Sequence, residues 1–122
     1  IFTDTTASNN WIVNGSPLTL DVTSGMPNIA VNNGKATLNV VLAGTKGLAK
    51  TGAGNLTLGG ANLYSGGTTI TPIGDTTAVT AANESALGSG TVLVNGPNTF
   101  SAGLSVNTGL TISNALTLKP TS

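Results

Sequence analysis

The sequence predicts an all-β fold, a parallel β-helix of roughly six rungs, from three observations. Short groups of apolar residues alternate with polar ones, these groups recur about every 20 residues, and no period near 3.6 persists anywhere. Composition agrees with the pattern. The 122 residues include 21 Thr, 14 Asn, 10 Ser and 17 Gly, yet hydrophobic residues reach 39% and mean hydropathy is positive, which low-complexity disordered chains lack. The length is that of one domain, 1–122.

The first strand signal is Leu18-Thr19-Leu20-Asp21-Val22, followed by Ala36-Thr37-Leu38-Asn39-Val40 and Asn55-Leu56-Thr57-Leu58. It returns at Thr91-Val92-Leu93-Val94, Leu104-Ser105-Val106, Leu110-Thr111-Ile112 and Leu116-Thr117-Leu118, always bounded by Gly, Asn, Ser or Pro. Weaker strands, Ile29-Ala30-Val31 and Thr68-Thr69-Ile70, fall between. From Leu18 to Leu38 is 20 residues and from Leu38 to Leu56 is 18, a spacing that fits repeated rungs with two or three short strands each. The best helical candidate, Thr80 to Leu87, is barely two turns long and stops at Gly88, so it reads as a loop with one turn. In such a coil Leu, Ile and Val point inward, β-branched Thr suits the outer face, and Asn and Gly take the corners. The alternative architecture is an antiparallel β-sandwich, which also uses short alternating strands.

Charge and residue chemistry exclude several functions. There is no His and no Cys, so no Ser-His-Asp or Cys-His arrangement and no zinc site with N or S ligands can be assembled from this chain. Lys35, Lys46, Lys50 and Lys119 are scattered and balanced by Asp4, Asp21, Asp75 and Glu84, which argues against nucleic acid as a partner. The longest apolar run, Val40 to Ala43, is far short of the roughly 20 residues of a membrane span. No phosphate loop is present, and Gly59 to Tyr64 lacks the Asp of a calcium-binding nonapeptide, so no cofactor and no metal are expected.

One segment is far more specific. Gly47-Leu48-Ala49-Lys50-Thr51-Gly52-Ala53-Gly54-Asn55-Leu56-Thr57-Leu58-Gly59-Gly60-Ala61-Asn62-Leu63-Tyr64-Ser65-Gly66-Gly67-Thr68-Thr69-Ile70 closely resembles the autotransporter-associated β-strand repeat, G-L-x-K-x-G-x-G-x-L-x-L-x-G-x-N-x-Y-x-G-x-T. The matching positions are Gly47, Lys50, Gly52, Gly54, Leu56, Leu58, Asn62, Tyr64, Gly66, Gly67 and Thr68. The resemblance departs at Thr71-Pro72-Ile73-Gly74-Asp75, and Pro72 removes a ladder donor, so residues 71–90 are expected to form an irregular loop. It implies a right-handed β-helix from the passenger of a secreted or surface-anchored bacterial protein, a stalk associated with export and adhesion and without catalytic residues of its own. An extracellular, cell-surface location follows from the same resemblance. The absence of Cys agrees with a chain exported unfolded through an oxidising periplasm.

The residues themselves read as structural. Gly52, Gly54, Gly66 and Gly67 supply turn conformations or close backbone approach, Tyr64 caps the core or stacks across rungs, and Phe2, Trp11 and Phe100 pack near corners or ends. A polysaccharide-cleaving site would need clustered acids with a cationic clamp, and the nearest pair, Asp75 and Glu84, has no such neighbour, so no enzyme activity is expected. Ile1-Phe2-Thr3 and Leu116-Thr117-Leu118-Lys119 carry no evident cap, which implies either flanking β-helix rungs or end-to-end self-association into filaments. Together these features describe a non-catalytic structural segment. The alternative is an adhesin module whose partner is a glycan or a host protein.

Overall fold

A computed structural model describes residues 1–3, 10–73, 77–96 and 103–120. Its strands are β1 (Asn10–Val13), β2 (Leu18–Thr19), β3 (Asn28–Ala30), β4 (Lys35–Leu38), β5 (Leu42–Ala43), β6 (Leu48–Thr51), β7 (Asn55–Leu58), β8 (Thr68–Ile70), β9 (Val79–Ala81), β10 (Val92–Gly96), β11 (Leu104–Val106) and β12 (Leu116–Pro120). Successive passes of the chain visit the same faces. One sheet runs β1-β4-β7-β9-β11, a second runs β3-β6-β8-β10-β12, and a third pairs β2 with β5. Every strand pairing among the described residues is parallel, so the fold is a β-solenoid and the sandwich is excluded.

Five strands on each of the two long faces make about four turns, not the six rungs expected from the sequence. The difference lies in the length of a turn. Leu38 stacks on Leu58, 20 residues on, as the repeat spacing requires, but Leu56 stacks on Val79 and Val92 on Leu116, 23 and 24 residues on. Extra residues at the corners lengthen those turns without adding a strand. One such insertion is the turn at 83–88, closed by Ala86 N donating to Asn83 O (3.0 Å) and Gly88 N donating to Ser85 O (3.1 Å). The stretch 71–90 is therefore not irregular throughout, because β9 lies within it.

Alternation places the side chains. In β7 Leu56 and Leu58 point into the coil, and the registers continue them into inward rows such as Val13–Leu38–Leu58–Ala81–Val106. With parallel strands spaced about 4.8 Å apart, each inward side chain packs on its equivalent in the next turn. The result is one linear core whose fully buried Leu, Ile and Val residues each contribute about 1.5–3 kcal/mol. Outward positions account for the Thr and Asn. Asn39 Nδ2 donates to Asn14 Oδ1 (2.9 Å), Thr51 Oγ1 to Asn28 Oδ1 (3.0 Å) and Asn55 Nδ2 to Thr80 Oγ1 (3.1 Å), each bond joining consecutive turns.

The third face keeps its ladder after the named strands stop. Leu63 N donates to Leu42 O (2.7 Å), Ser65 N to Gly44 O (3.0 Å) and Ser89 N to Tyr64 O (3.1 Å). At the first turn Trp11 heads the inward row Trp11–Ala36–Leu56, with its ring 6.1 Å from that of Phe2. Both therefore pack at an end of the coil, whereas Phe100 lies outside the described residues. The end turns have neighbours on one side only, and they leave Trp11 (42%), Ile12 (58%), Leu18 (47%) and Leu116 (45%) exposed.

Candidate functional site

The segment 47–70 forms the middle of the coil, and its polar and glycine positions converge on the corners that join β5 to β6, β6 to β7 and β7 to β8. Gly47 and Gly66 touch through their backbones. A Cβ on Gly66 would stand 2.3 Å from Gly47 N, and a Cβ on Gly47 would stand 2.6 Å from Gly67 O, so adjacent turns come this close only without side chains. Gly52 has φ +86°, and a Cβ there would lie 2.3 Å from Val31 O of the preceding turn. Gly54 faces Val31 Cγ1 and Asn33 O, and Gly67 faces Thr91 O.

Lys50 is the least ordinary of the set. It follows Leu48 on the inward side of β6, in the row Ile29–Lys50–Ile70–Val94–Leu118, and is fully buried. Its Nζ turns to the β6–β7 corner and donates to Gly52 O (2.7 Å) and to Gly54 O. The ammonium thus supplies the donors that the tight corner's carbonyls lack, while its stem packs with aliphatic neighbours. Burial lowers its pKa from 10.5 to about 8. Alternation alone puts Lys50 on the inner face beside Leu48, and that is the signal sequence reasoning passed over in treating it as one of four scattered cations.

Asn62, Tyr64 and Thr68 are also inside. Asn62 Oδ1 accepts from Leu42 N (2.8 Å) and its Nδ2 donates to Ala86 O (2.7 Å), so one side chain ties together three consecutive turns. Tyr64 is fully buried, with its hydroxyl 2.7 Å from Thr68 Oγ1. Thr68 Oγ1 in turn donates to Leu87 O (3.3 Å), which makes the tyrosine the donor in their pair. Desolvation raises the Tyr64 pKa from 10.0 to about 12, partly offset by its bond to Thr68. No buried side-chain polar atom among the described residues lacks a hydrogen-bond partner.

These two shifts predict an unusual pH profile. Between pH 8 and 10.5 the unfolded chain holds a proton on Lys50 that the folded chain has released, so stability rises with pH across that window. Between pH 10 and 12 the folded chain keeps the Tyr64 proton that the unfolded chain loses, so this contribution falls as pH rises. Urea denaturation measured from pH 7 to 11 should show stability climbing above pH 8 and turning over above about pH 10. In Lys50→Met the climb should vanish. A Lys50→Met profile that still climbs like that of the unaltered chain would assign the slope elsewhere.

The acidic pair considered from sequence does not assemble into a described site. Glu84 is exposed on the turn at 83–88, and Asp75 lies outside the described residues. Among the described residues no group of three or more His, Cys, Asp or Glu side chains could hold a metal ion, and no helix is long and apolar enough to cross a membrane.

Residues 48–71 match the passenger-associated-transport-repeat family. The chain carries that transport repeat. Over 90 residues, 68% of its length, it is 41% identical to a stretch of the adhesin BmaC autotransporter of Brucella suis biovar 1 (strain 1330). It spans 2% of the length of that relative. No solved structure matches it. The transport repeat coincides with the corner glycines, Lys50, Asn62, Tyr64 and Thr68, so the residues that define it are the ones that close the corners and join consecutive turns.

Proposed function

We propose that this chain is a non-catalytic structural segment of an extracellular bacterial surface protein, a length of scaffold in an autotransporter-like passenger. The observation that carries this reading is the direction of the repeat's polar side chains. Lys50, Asn62, Tyr64 and Thr68 all turn inward, and each is satisfied by the chain's own backbone or by another member of the set. Polar groups used in this way hold register between turns and leave nothing convergent for chemistry on a substrate. Similarity to an autotransporter adhesin supports the surface location, and the transport repeat supports a passage across the outer membrane.

The exposed apolar residues of the end turns fit a coil that continues. Trp11 and Leu116 head inward rows with one neighbour each, so a further turn or the end of a second copy would complete their packing. The non-catalytic half of the proposal is tested by incubating the chain with a panel of plant and bacterial polysaccharides and assaying new reducing ends. Release no greater than the blank is expected, and reproducible cleavage that follows the chain through purification overturns the reading.

A further inference from the structure

Across three successive passes of the chain, the third face opens into a groove of about 520 Å³. It exists because one pass is longer than its predecessor. Twenty residues separate Leu48 from its partner Thr68, but 24 separate Thr68 from Val92, and part of the surplus folds outward as the turn at 83–88. The walls are tied down from both sides. Asn62 Nδ2 holds Ala86 O, while Asn114 Nδ2 donates to Gly88 O (3.0 Å) and Gly90 O (2.8 Å), so the groove is formed before any ligand arrives.

The lining is uniform in chemistry. Ser85, Ser89, Thr91 and Ser113 are exposed there, and their hydroxyls make no hydrogen bond to any described residue. Beside them stands Leu63, 71% exposed, and no charged side chain lines the groove. An ionic ligand would find no counter-charge in it, and an apolar one would find a single leucine among hydroxyls. A neutral sugar chain matches both features, since each serine or threonine hydroxyl can donate and accept toward a sugar hydroxyl and the C–H face of a pyranose can rest on Leu63. We propose that this groove binds a neutral oligosaccharide. The site stands beside the scaffold role and does not depend on it, because none of its exposed hydroxyls holds the coil together.

The test uses the 122-residue chain on an array of neutral and acidic oligosaccharides, followed by titration of the best neutral binder observed by amide NMR. Expected are saturable binding of a neutral glycan, shifts confined to residues around 63, 85–91 and 113–115, and binding weaker by at least about tenfold in Ser89→Ala/Ser113→Ala. Thr19→Ala, on the first turn and away from the groove, should bind as the unaltered chain does. The proposal is overturned if no neutral glycan binds at up to about 10 mM, if only acidic glycans bind, or if the shifts map to another face. It is equally overturned if the double variant, folded by circular dichroism, binds undiminished.

Discussion

Replacing Gly52 with alanine is expected to lower the stability of the coil by more than about 3 kcal/mol, because two independent costs meet at that position. The first is the left-handed backbone, φ +86°, which disfavours any residue with a Cβ by about 1–2 kcal/mol. The second is steric and falls on backbone that cannot swing aside. The new Cβ would lie 2.3 Å from Val31 O and 2.6 Å from Val31 C, so the β6–β7 corner must lift from the preceding turn and draw the Lys50 hydrogen bonds with it. Gly109 separates the two costs. It has nearly the same φ, +85°, but a Cβ there would meet nothing within 4 Å, so Gly109→Ala should cost only about 1–2 kcal/mol. Urea midpoints at constant m-value measure both variants. Equal losses at the two sites would show that turn-to-turn contact contributes nothing beyond the backbone term.

The second large effect is expected at Asn62. Leucine has nearly the same size and would pack with the core, but Asn62→Leu strands a buried N–H on Leu42 and a buried carbonyl on Ala86, at about 1–3 kcal/mol each. We expect a loss of about 2–5 kcal/mol and faster hydrogen exchange at the Leu42 amide. A loss below about 1 kcal/mol with unchanged exchange would mean that water or backbone movement replaces the side chain, and that Asn62 is not what ties the three turns together.

Much of this architecture is legible in the sequence because the solenoid uses one local rule repeatedly. Alternation at Asn55–Leu58 and Thr68–Ile70 matches β7 and β8 residue for residue. It overreaches at Leu110–Ile112, which is no strand, and at Leu20–Val22, beyond the end of β2. It passes over β1, β5, β6 and β9. Two of these contain non-apolar or small residues on the inner face, Lys50 in β6 and Ala81 in β9, and β5 is only two residues long, so hydropathy alone gives them little weight. The number of turns is overestimated for a different reason. Spacing between motif residues reports a turn of about 20 residues, but insertions at corners obey no periodicity and lengthen the later turns to as many as 25.

The inward-facing polar residues are the hardest part to read. Resemblance marks Lys50, Asn62, Tyr64 and Thr68 as a set, but their partners include backbone atoms of neighbouring turns, such as Leu42 N, Ala86 O and Leu87 O. A backbone partner 20 or 24 residues away carries no side-chain signature in the sequence. The groove beside the turn at 83–88 is illegible for the same reason, since its lining comes from three passes of the chain whose register is set elsewhere.

The scaffold claim is tested most directly by placing this chain between an autotransporter β-barrel and a distal epitope, and counting epitope at the surface of intact cells. The unaltered chain should display the epitope, Gly52→Ala and Asn62→Leu should reduce display in the order of their lost stability, and Ser89→Ala/Ser113→Ala should leave it unchanged. Equal display from all of these variants, including those shown to be unfolded in vitro, would contradict the claim that the folded coil is what this segment contributes.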